Sequence, residues 1–256
     1  MKWPKTLTLI RHDTSAYNQM KDAKKGHPLY EEFLAAWEQD KTGEETRRLA
    51  LEVHKTFALN LSDSETPLAD TEGRQARVTG EKMKKELELP DIIYVSPYKR
   101  TLQTLVHITR GWPELDKVRV VKDERVREQE HGLTLLYNDR RVFETLYPEQ
   151  RLLREQEGEY WYRFPQGENV PDVRLRNRSW ISTLIREFAD KNVLTVTHHL
   201  NILATRANLE RLDAEEFIRL DREEKPVNCG VTVYRGHPDL GKDGRLVLET
   251  YNRKYY

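Results

Sequence analysis

The chain has 256 residues, and its 43 Lys and Arg balance 43 Asp and Glu, so its formal net charge is zero. It contains no run of eighteen apolar residues and no apolar stretch at its start, which predicts neither a membrane span nor a secretory signal. The single cysteine, Cys229, excludes an intrachain disulfide and a thiolate metal cluster, which favours a cytoplasmic protein. The neutral total also argues against nucleic acid as a partner.

Along the chain, short apolar runs alternate with segments of helical periodicity. Strands are predicted at residues 7–10, 92–95, 118–121 and 193–196, and a closing antiparallel pair at 230–234 and 246–249. Helices are predicted at 28–60 in two stretches, 72–89, 96–110, 172–189 and 200–209. The helix at 96–110 is expected to begin at Ser96-Pro97, with the proline at its first position. Residues 125–166 are charged and aromatic without clean periodicity.

This alternation predicts one α/β domain over residues 1–256, with three layers (α/β/α) around a mostly parallel central sheet. The helical stretch at about 28–60 reads as an insertion that would form a cap or lid near the active site. Ligands of such sheets bind outside the carboxyl ends of the strands. The residues at those ends are therefore the candidates for function.

Arginine and histidine side chains follow three of the predicted strands. The first strand is followed by Arg11 and His12, the second by Arg100 one turn into its helix, and the fourth by His198 and His199. The planar guanidinium fork matches phosphate oxygens, and a helix that starts at a strand end adds backbone N–H donors. The pattern predicts a phosphate pocket, in which a neutral histidine could attack phosphorus and form a phosphohistidine.

Several motifs, in this order, resemble those of the histidine phosphatase superfamily, which is also called phosphoglycerate mutase-like. They are Leu9-Ile10-Arg11-His12-Asp13 with Asn18, a Pro67-Leu68 to Gln75-Ala76 segment, Ser96-Pro97-Tyr98-Lys99-Arg100-Thr101-Leu102-Gln103-Thr104, Arg127-Glu128 with Gly132, and Val196-Thr197-His198-His199. The Ser96 to Thr104 motif is a full match, whereas the segment at 67–76 has altered spacing. The resemblance runs from residue 7 to about 234 and points to a poorly characterised branch.

The resemblance implies a role for each matching residue. His12 would be the nucleophile, while Arg11, Arg100 and His198 would hold the phosphoryl oxygens and stabilise the transition state. Glu128 would protonate the leaving oxygen and then activate water. No metal or organic cofactor would be needed.

Two further residues are expected to touch the substrate. Asn18 would hydrogen-bond the phosphate from the side, and His199 would lie beside it. The acid is less firmly assigned, because three other carboxylates lie close to Glu128 in the sequence: Asp123, Glu124 and Glu130.

The chain departs from the family where a glycine normally follows each histidine. Asp13 and His199 stand at these positions, although glycine lets the backbone approach a phosphate closely. An aspartate there would repel a dianion unless its side chain points away or is hydrogen-bonded locally.

The leading hypothesis is a phosphoric monoester hydrolase, a metal-independent phosphatase of a small phosphorylated metabolite acting through a phosphohistidine at His12. The alternatives are phosphoglycerate mutase-type phosphoryl transfer and, because of Asp13 and His199, a degenerate noncatalytic phosphate-binding protein. The family also suggests a homodimer.

Overall fold

A computed structural model describes residues 2–256, which divide into two compact units. The first unit contains the chain up to Ser15 together with Ser64–Glu128 and Asp172–Tyr256, and the second contains Ala16–Asp63 and Gln129–Pro171. The helical stretch predicted at 28–60 lies in the second unit, and its expected role as a lid stays a prediction, as does the single domain. Among the described residues, no helix combines the length and the apolar character that crossing a membrane requires.

A six-stranded sheet forms the centre of the first unit. Its strands are β1 (Thr6–Arg11), β2 (Ile92–Val95), β3 (Val120–Lys122), β4 (Asn192–Thr197), β5 (Val231–His237) and β6 (Arg245–Arg253). They lie in the order β3-β2-β4-β1-β5-β6. The first four run parallel, whereas β5 is antiparallel to β1 and β6 to β5. The α/β class with a mostly parallel sheet is confirmed.

Ten α-helices are found among residues 2–256. They are α1 (Ala16–Lys24), α2 (Pro28–Gln39), α3 (Glu44–Phe57), α4 (Arg74–Glu86), α5 (Lys99–Gly111), α6 (Arg140–Leu146), α7 (Pro148–Glu157), α8 (Val170–Glu187), α9 (His199–Glu210) and α10 (Ala214–Glu223).

The helices cover both faces of the sheet, because alternate residues of a strand point to opposite sides. Ile10 of β1 packs in one apolar cluster with Ile108 of α5, and its neighbour Leu9 packs in another with Trp180 of α8. All four side chains are fully buried. The three-layer prediction is therefore confirmed for the first unit.

Two glycines allow α4 and α5 to approach closely. A Cβ on Gly80 would lie 2.3 Å from the carbonyl oxygen of Ile108, and one on Gly111 would lie 2.1 Å from that of Arg77. Any larger residue would push the helices apart. Since α5 carries Arg100, this packing fixes the position of that side chain.

The second strand-to-helix junction differs from the prediction. The helix begins at Lys99, with Tyr98 as its extended N-cap residue, and not at Ser96-Pro97. The N–H of Ser96 still donates to the carbonyl of Val196 in β4, at 3.1 Å, so the sheet pairing continues past Val95. Because its N–H pairs with β4, Ser96 continues the sheet and the helix begins only after it.

Other boundaries also differ. β3 is Val120–Lys122 instead of 118–121, because the N–H of Val118 closes the 3-10 turn Pro113–Lys117 by donating to Leu115. The segment 125–166, which lacks periodicity, contains α6 and α7. α1 and α10 were also missed.

The second unit is helical and has its own core. Phe33 of α2, Leu49 and Val53 of α3 and Val142 of α6 form one buried cluster. The buried Lys24 of α1 contacts Asp139 at 2.6 Å, which ties α1 to the start of α6.

Candidate active site

The carboxyl ends of β1, β4 and β2 lie side by side at one edge of the sheet. Arg11 is paired in register with Thr197 of β4, and Val95 of β2 is paired with Val196. The residues that follow these strands, His12, Ser96 and His198, are therefore neighbours, as predicted from their positions at strand ends. All three are buried.

His12 is held in a single tautomer. Its Nδ1 lies 2.7 Å from the carbonyl oxygen of Asp13. Because a carbonyl oxygen can only accept, Nδ1 carries the proton and Nε2 keeps its lone pair. Burial lowers the pKa of His12 well below 6.5, and the charges of Arg100 and Arg11 lower it further. The ring is therefore neutral at pH 7 and has a free lone pair at Nε2.

His198 contacts the ring of His12 edge to face, with 5.2 Å between the ring centroids. It is fully buried, and its Nε2 lies 2.7 Å from the hydroxyl of Ser96. Within residues 2–256 its Nδ1 has no hydrogen-bond partner. Burial lowers the pKa of this ring well below 6.5, and so do, to a smaller extent, the charges of Arg100 and His12.

Two guanidinium groups belong to this cluster. Arg100 is 4% exposed, and its guanidinium lies 4.9 Å from the centre of the Tyr98 ring. Arg11 donates from one terminal nitrogen to the carbonyl of Pro226 at 2.7 Å, and its buried Nε has no partner within the described part of the chain. Burial lowers the pKa of Arg11, Glu128 opposes that shift and Arg100 adds to it. Two neutral histidines thus lie near two arginines, of which Arg100 is buried and Arg11 is half-buried.

Glu128 lies at this edge. Its Oε1 accepts a hydrogen bond from the backbone N–H of Leu200 at 3.2 Å, at the start of α9. The carboxylate of Asp123 is instead bound by the side chain and the N–H of Arg125. Glu124 lies exposed in the 3-10 turn Glu124–Val126. Glu130 belongs to the second unit.

Asp13 binds backbone N–H groups with both oxygens of its carboxylate. One oxygen accepts from the N–H of Thr14 at 2.6 Å and the other from the N–H of Ala76, in the first turn of α4, at 3.0 Å. Its own N–H donates to the hydroxyl of Thr104 at 2.9 Å. Burial raises the pKa of Asp13 although these N–H donors oppose the shift. The local hydrogen bonds named as a condition in the sequence analysis are present.

His199 is the first residue of α9, and its side chain is 20% exposed. Its Nε2 lies 2.7 Å from an oxygen of Asp221 in α10. His199 is close enough that its charge contributes to the lowered pKa of His12. The structure thus brings His199 to the same edge as His12 and His198.

Asn18 lies in α1 and belongs to the second unit, so its expected contact with a phosphate stays a prediction. The six other candidate residues all lie in the first unit: Arg11, His12, Arg100, Glu128, His198 and His199. Among the described residues, no group of three or more His, Cys, Asp or Glu side chains is placed to hold a metal ion.

Some supporting residues were not identified from the sequence. Asn228 donates to the carbonyl of His12 at 2.9 Å, and Thr104 binds the N–H of Asp13. Arg176 donates to the carbonyl of Glu128, although its spacing with Arg174 and Arg178 predicts charges scattered around a helix. Thr104 could have been found, since it ends the motif that begins at Ser96. No sequence signal marks Asn228 or Arg176, because their partners are backbone atoms of distant segments.

Proteins of similar sequence are named as a phosphoglycerate mutase-like protein and as a phosphatase. Phosphoglycerate mutase-like protein AT74H of Arabidopsis thaliana is 27% identical over 210 residues, which is 74% of this chain and 70% of that protein. Phosphoserine phosphatase 1 of Hydrogenobacter thermophilus is 27% identical over 150 residues, 59% of this chain and 67% of that protein.

Solved structures share the fold at lower identity. A mycobacterial glucosyl-3-phosphoglycerate phosphatase in complex with inorganic phosphate superposes with a TM-score of 0.65 at 19% identity, covering 98% of both chains. A putative alpha-ribazole-5'-P phosphatase from Escherichia coli gives 0.68 at 15% identity, covering 98% of this chain and 97% of that one.

The family model of histidine phosphatases, branch 1, matches residues 58–242. The matched segment contains Arg100, Glu128 and His198. His12 precedes this segment in the chain, and the pairing of β1 with β4 places it beside His198. Because the family model matches most of its length, the chain belongs to the histidine phosphatase superfamily.

Proposed function

We propose that the protein is a metal-independent phosphatase that hydrolyses a small phosphomonoester through a phosphohistidine at His12. The observation that carries the proposal is the hydrogen bond from Nδ1 of His12 to the carbonyl of Asp13, which leaves a lone pair on Nε2 of a ring that the charges of Arg100 and Arg11 influence. A nucleophile that is neutral at pH 7 needs no separate base to activate it.

The buried donors support a phosphate ligand. Nε of Arg11 is a buried donor, and Nδ1 of His198 is a second one when the Ser96 hydroxyl donates to Nε2 of that ring; neither atom has a hydrogen-bond partner among residues 2–256. A buried donor without a partner costs about 1–3 kcal/mol, so these groups favour a ligand that accepts hydrogen bonds. With Arg100, they would offer donors and positive charge to the equatorial phosphoryl oxygens, where charge is concentrated in the transition state.

The reaction would take two steps. In the first, the lone pair of His12 Nε2 forms a bond to phosphorus while the ester P–O bond breaks, and the leaving oxygen takes the proton of the Glu128 carboxyl group. In the second, the Glu128 carboxylate takes a proton from water and the water oxygen bonds to phosphorus. The P–N bond then breaks, its electrons return to Nε2, and inorganic phosphate leaves.

The substrate class follows from the relatives and from the site. A phosphoserine phosphatase and a glucosyl-3-phosphoglycerate phosphatase act on phosphoesters of small metabolites, as their names state. The neutral net charge of the chain gives no broad electrostatic attraction for a polyanion. A small phosphorylated metabolite is the substrate class that both observations favour.

A turnover assay with p-nitrophenyl phosphate in EDTA tests the chemistry. We expect EDTA-resistant hydrolysis by the wild type, a fall of roughly 10³-fold or more in His12→Ala, and unchanged turnover in His237→Ala, a histidine exposed on β5. Labelled phosphate should be trapped on His12 as an acid-labile adduct. Label on another residue, or turnover abolished by EDTA, would overturn the proposal.

His199 would bind the part of the substrate that does not react. We expect His199→Gly to raise KM about tenfold, equivalent to about 1.4 kcal/mol, with little change in the rate of His12 phosphorylation. An unchanged KM would remove His199 from the binding site.

Mutase-type phosphoryl transfer is the second candidate, favoured by the phosphoglycerate mutase-like relative from Arabidopsis thaliana. If the protein is a mutase, it should interconvert 2- and 3-phosphoglycerate faster than it hydrolyses them. Hydrolysis without interconversion would exclude it.

A further inference from the structure

We infer that Arg176, on α8, is a positioning residue that fixes the catalytic segment around Glu128. Its guanidinium donates to three backbone carbonyls, those of Arg125 at 2.9 Å, Arg127 at 2.8 Å and Glu128 at 2.8 Å. The inference rests on the proposed function, in which Glu128 transfers the proton.

Side chains donate hydrogen bonds to the backbone carbonyl of each residue from 125 to 128. The carbonyl of Val126 accepts from the Thr197 hydroxyl at 2.6 Å, and that of Arg125 also accepts from Asn201 at 3.2 Å. Arg176 binds the carbonyls on either side of Val126 and continues to Glu128 itself. The segment is neither strand nor α-helix, so these side chains supply the positional constraint that a ladder of backbone hydrogen bonds supplies elsewhere.

Arginine fits this set of contacts better than lysine does. The two terminal nitrogens of the guanidinium donate to the three carbonyls from a rigid planar fork, whereas a lysine ammonium must place all of its donors from one nitrogen. Arg176 is also close enough to His198 for its charge to contribute to the lowered pKa of that ring. The residue thus contacts the backbone of the proton donor and lies near the histidine pair.

The position of Glu128 matters because its carboxylate binds the first turn of α9. Oε1 accepts from the N–H of Leu200, which has no partner inside α9 because the helix begins at His199. A displacement of about 1 Å at a group that transfers a proton can cost about 10²-fold in rate. Loss of Arg176 should therefore reproduce part of the effect of losing Glu128.

The leaving group separates this role from a general structural one. An alkyl leaving oxygen needs a proton from Glu128, whereas p-nitrophenolate leaves without one. We expect Arg176→Ala to slow hydrolysis of an alkyl phosphate about 30- to 100-fold, and to change single-turnover release of p-nitrophenolate by less than about threefold. Arg176→Lys should be intermediate.

Arg174 provides the matched control. It lies on the same helix and binds the carbonyls of Leu212 and Ala207, beyond and within the last turn of α9, at 3.1 and 3.2 Å. Arg174→Ala loses a comparable set of bonds, and its rates with the two substrates should keep the wild-type ratio.

A double mutant gives the sharpest result. If Arg176 acts through Glu128, Arg176→Ala combined with Glu128→Gln should hydrolyse the alkyl phosphate no more slowly than Glu128→Gln alone, within about threefold. Equal slowing of both substrates by Arg176→Ala, or effects of the two substitutions that multiply, would overturn the inference.

Amide hydrogen exchange tests the hydrogen bond between the N–H of Leu200 and Glu128 independently of activity. In Arg176→Ala and Arg176→Lys the N–H of Leu200 should exchange faster than in the wild type, and in Arg174→Ala it should not. Exchange unchanged in both Arg176 variants would overturn the inference even if the enzyme is active. An inactive wild type would overturn the proposed function and leave this exchange result to decide the role of Arg176.

Discussion

The carboxylate of Asp13 accepts a hydrogen bond from the backbone N–H of Ala76, 63 residues further along the chain, at 3.0 Å. The N-cap of α4 is Gly73, which has no side chain and lies in the left-handed region at φ 55°. Asp13, two residues after the end of β1, therefore supplies an acceptor to the first turn of α4 that the N-cap residue cannot supply. The same residue orients His12 through its carbonyl oxygen.

Replacement of Asp13 should lower both stability and activity. Asp13→Ala leaves the N–H groups of Thr14 and Ala76 without their acceptor in a buried site, which costs about 1–3 kcal/mol of the free energy of unfolding. Single-turnover phosphorylation of His12 should slow as well, because the carbonyl that fixes its tautomer loses its anchor. Urea unfolding and rapid-quench labelling measure the two effects.

Asp70→Ala is the control for this prediction. Asp70 binds the N–H groups of Glu72 and Arg74 at the same helix end, but it is exposed. The substitution Asp70→Ala should lower the free energy of unfolding by about 1 kcal/mol and leave the rate of His12 phosphorylation unchanged. Equal effects of the two substitutions on phosphorylation would contradict the anchoring role of Asp13.

The histidine pair should make stability depend on pH in a defined direction. Burial lowers the pKa of His12 and His198 below 6.5. Below pH 6.5 the unfolded chain therefore binds more protons than the folded protein, and the free energy of unfolding falls as the pH falls. The slope is at most about 1.4 kcal/mol per pH unit for each histidine, and it disappears below the folded-state pKa.

The variant His12→Gln isolates one of these groups. Denaturant unfolding between pH 5 and 7 should show a shallower slope for the variant than for the wild type. The raised pKa of Asp13 acts in the opposite sense in both proteins, so the comparison removes most of its contribution. Identical slopes would show that His12 titrates normally.

A buried ion pair should dominate the stability of the second unit. Lys24 Nζ lies 2.6 Å from Asp139, which also accepts from the hydroxyl of Tyr30 at 2.7 Å. Although burial opposes it, the charge of Lys24 contributes to a lowered pKa of Asp139. Lys24→Met leaves this carboxylate uncompensated, and we expect a loss of about 3–5 kcal/mol in urea unfolding.

The adjacent residue provides a comparison. Lys25 makes an exposed ion pair with Asp22 at 2.7 Å, so Lys25→Met should change the free energy of unfolding by less than about 1 kcal/mol. A loss below 1 kcal/mol in Lys24→Met would refute the importance of the buried pair.

The thiol of Cys229 should be inert in the folded protein. Burial raises its pKa well above 9.0, and Asp13 adds to the shift. In denaturant, a thiolate-directed reagent such as DTNB should modify one thiol per chain. In the absence of denaturant, its reaction with Cys229 should be no faster than unfolding of the protein. Modification of the native protein at the rate of a free thiol would exclude this burial.

Much of the site was predictable because its residues follow strands. The apolar runs predict β1, β2 and β4, and the carboxyl ends of neighbouring parallel strands lie at one edge of the sheet. Arg11 and His198 could therefore be expected together before their contacts were known. The helices α6 and α7 could not, because their charged sequences lack a clear apolar period and α7 buries none of its residues.

By itself, the sequence determined the α/β class, the superfamily and which residues gather at the sheet edge, because periodicity and motif order are local properties of the chain. Only the tertiary structure decided which nitrogen of His12 carries a proton, where the Asp13 carboxylate points and what Arg176 holds. Each of these depends on a backbone group brought from elsewhere in the chain. Hydrogen bonds to backbone atoms leave no side-chain pattern by which a sequence could reveal them.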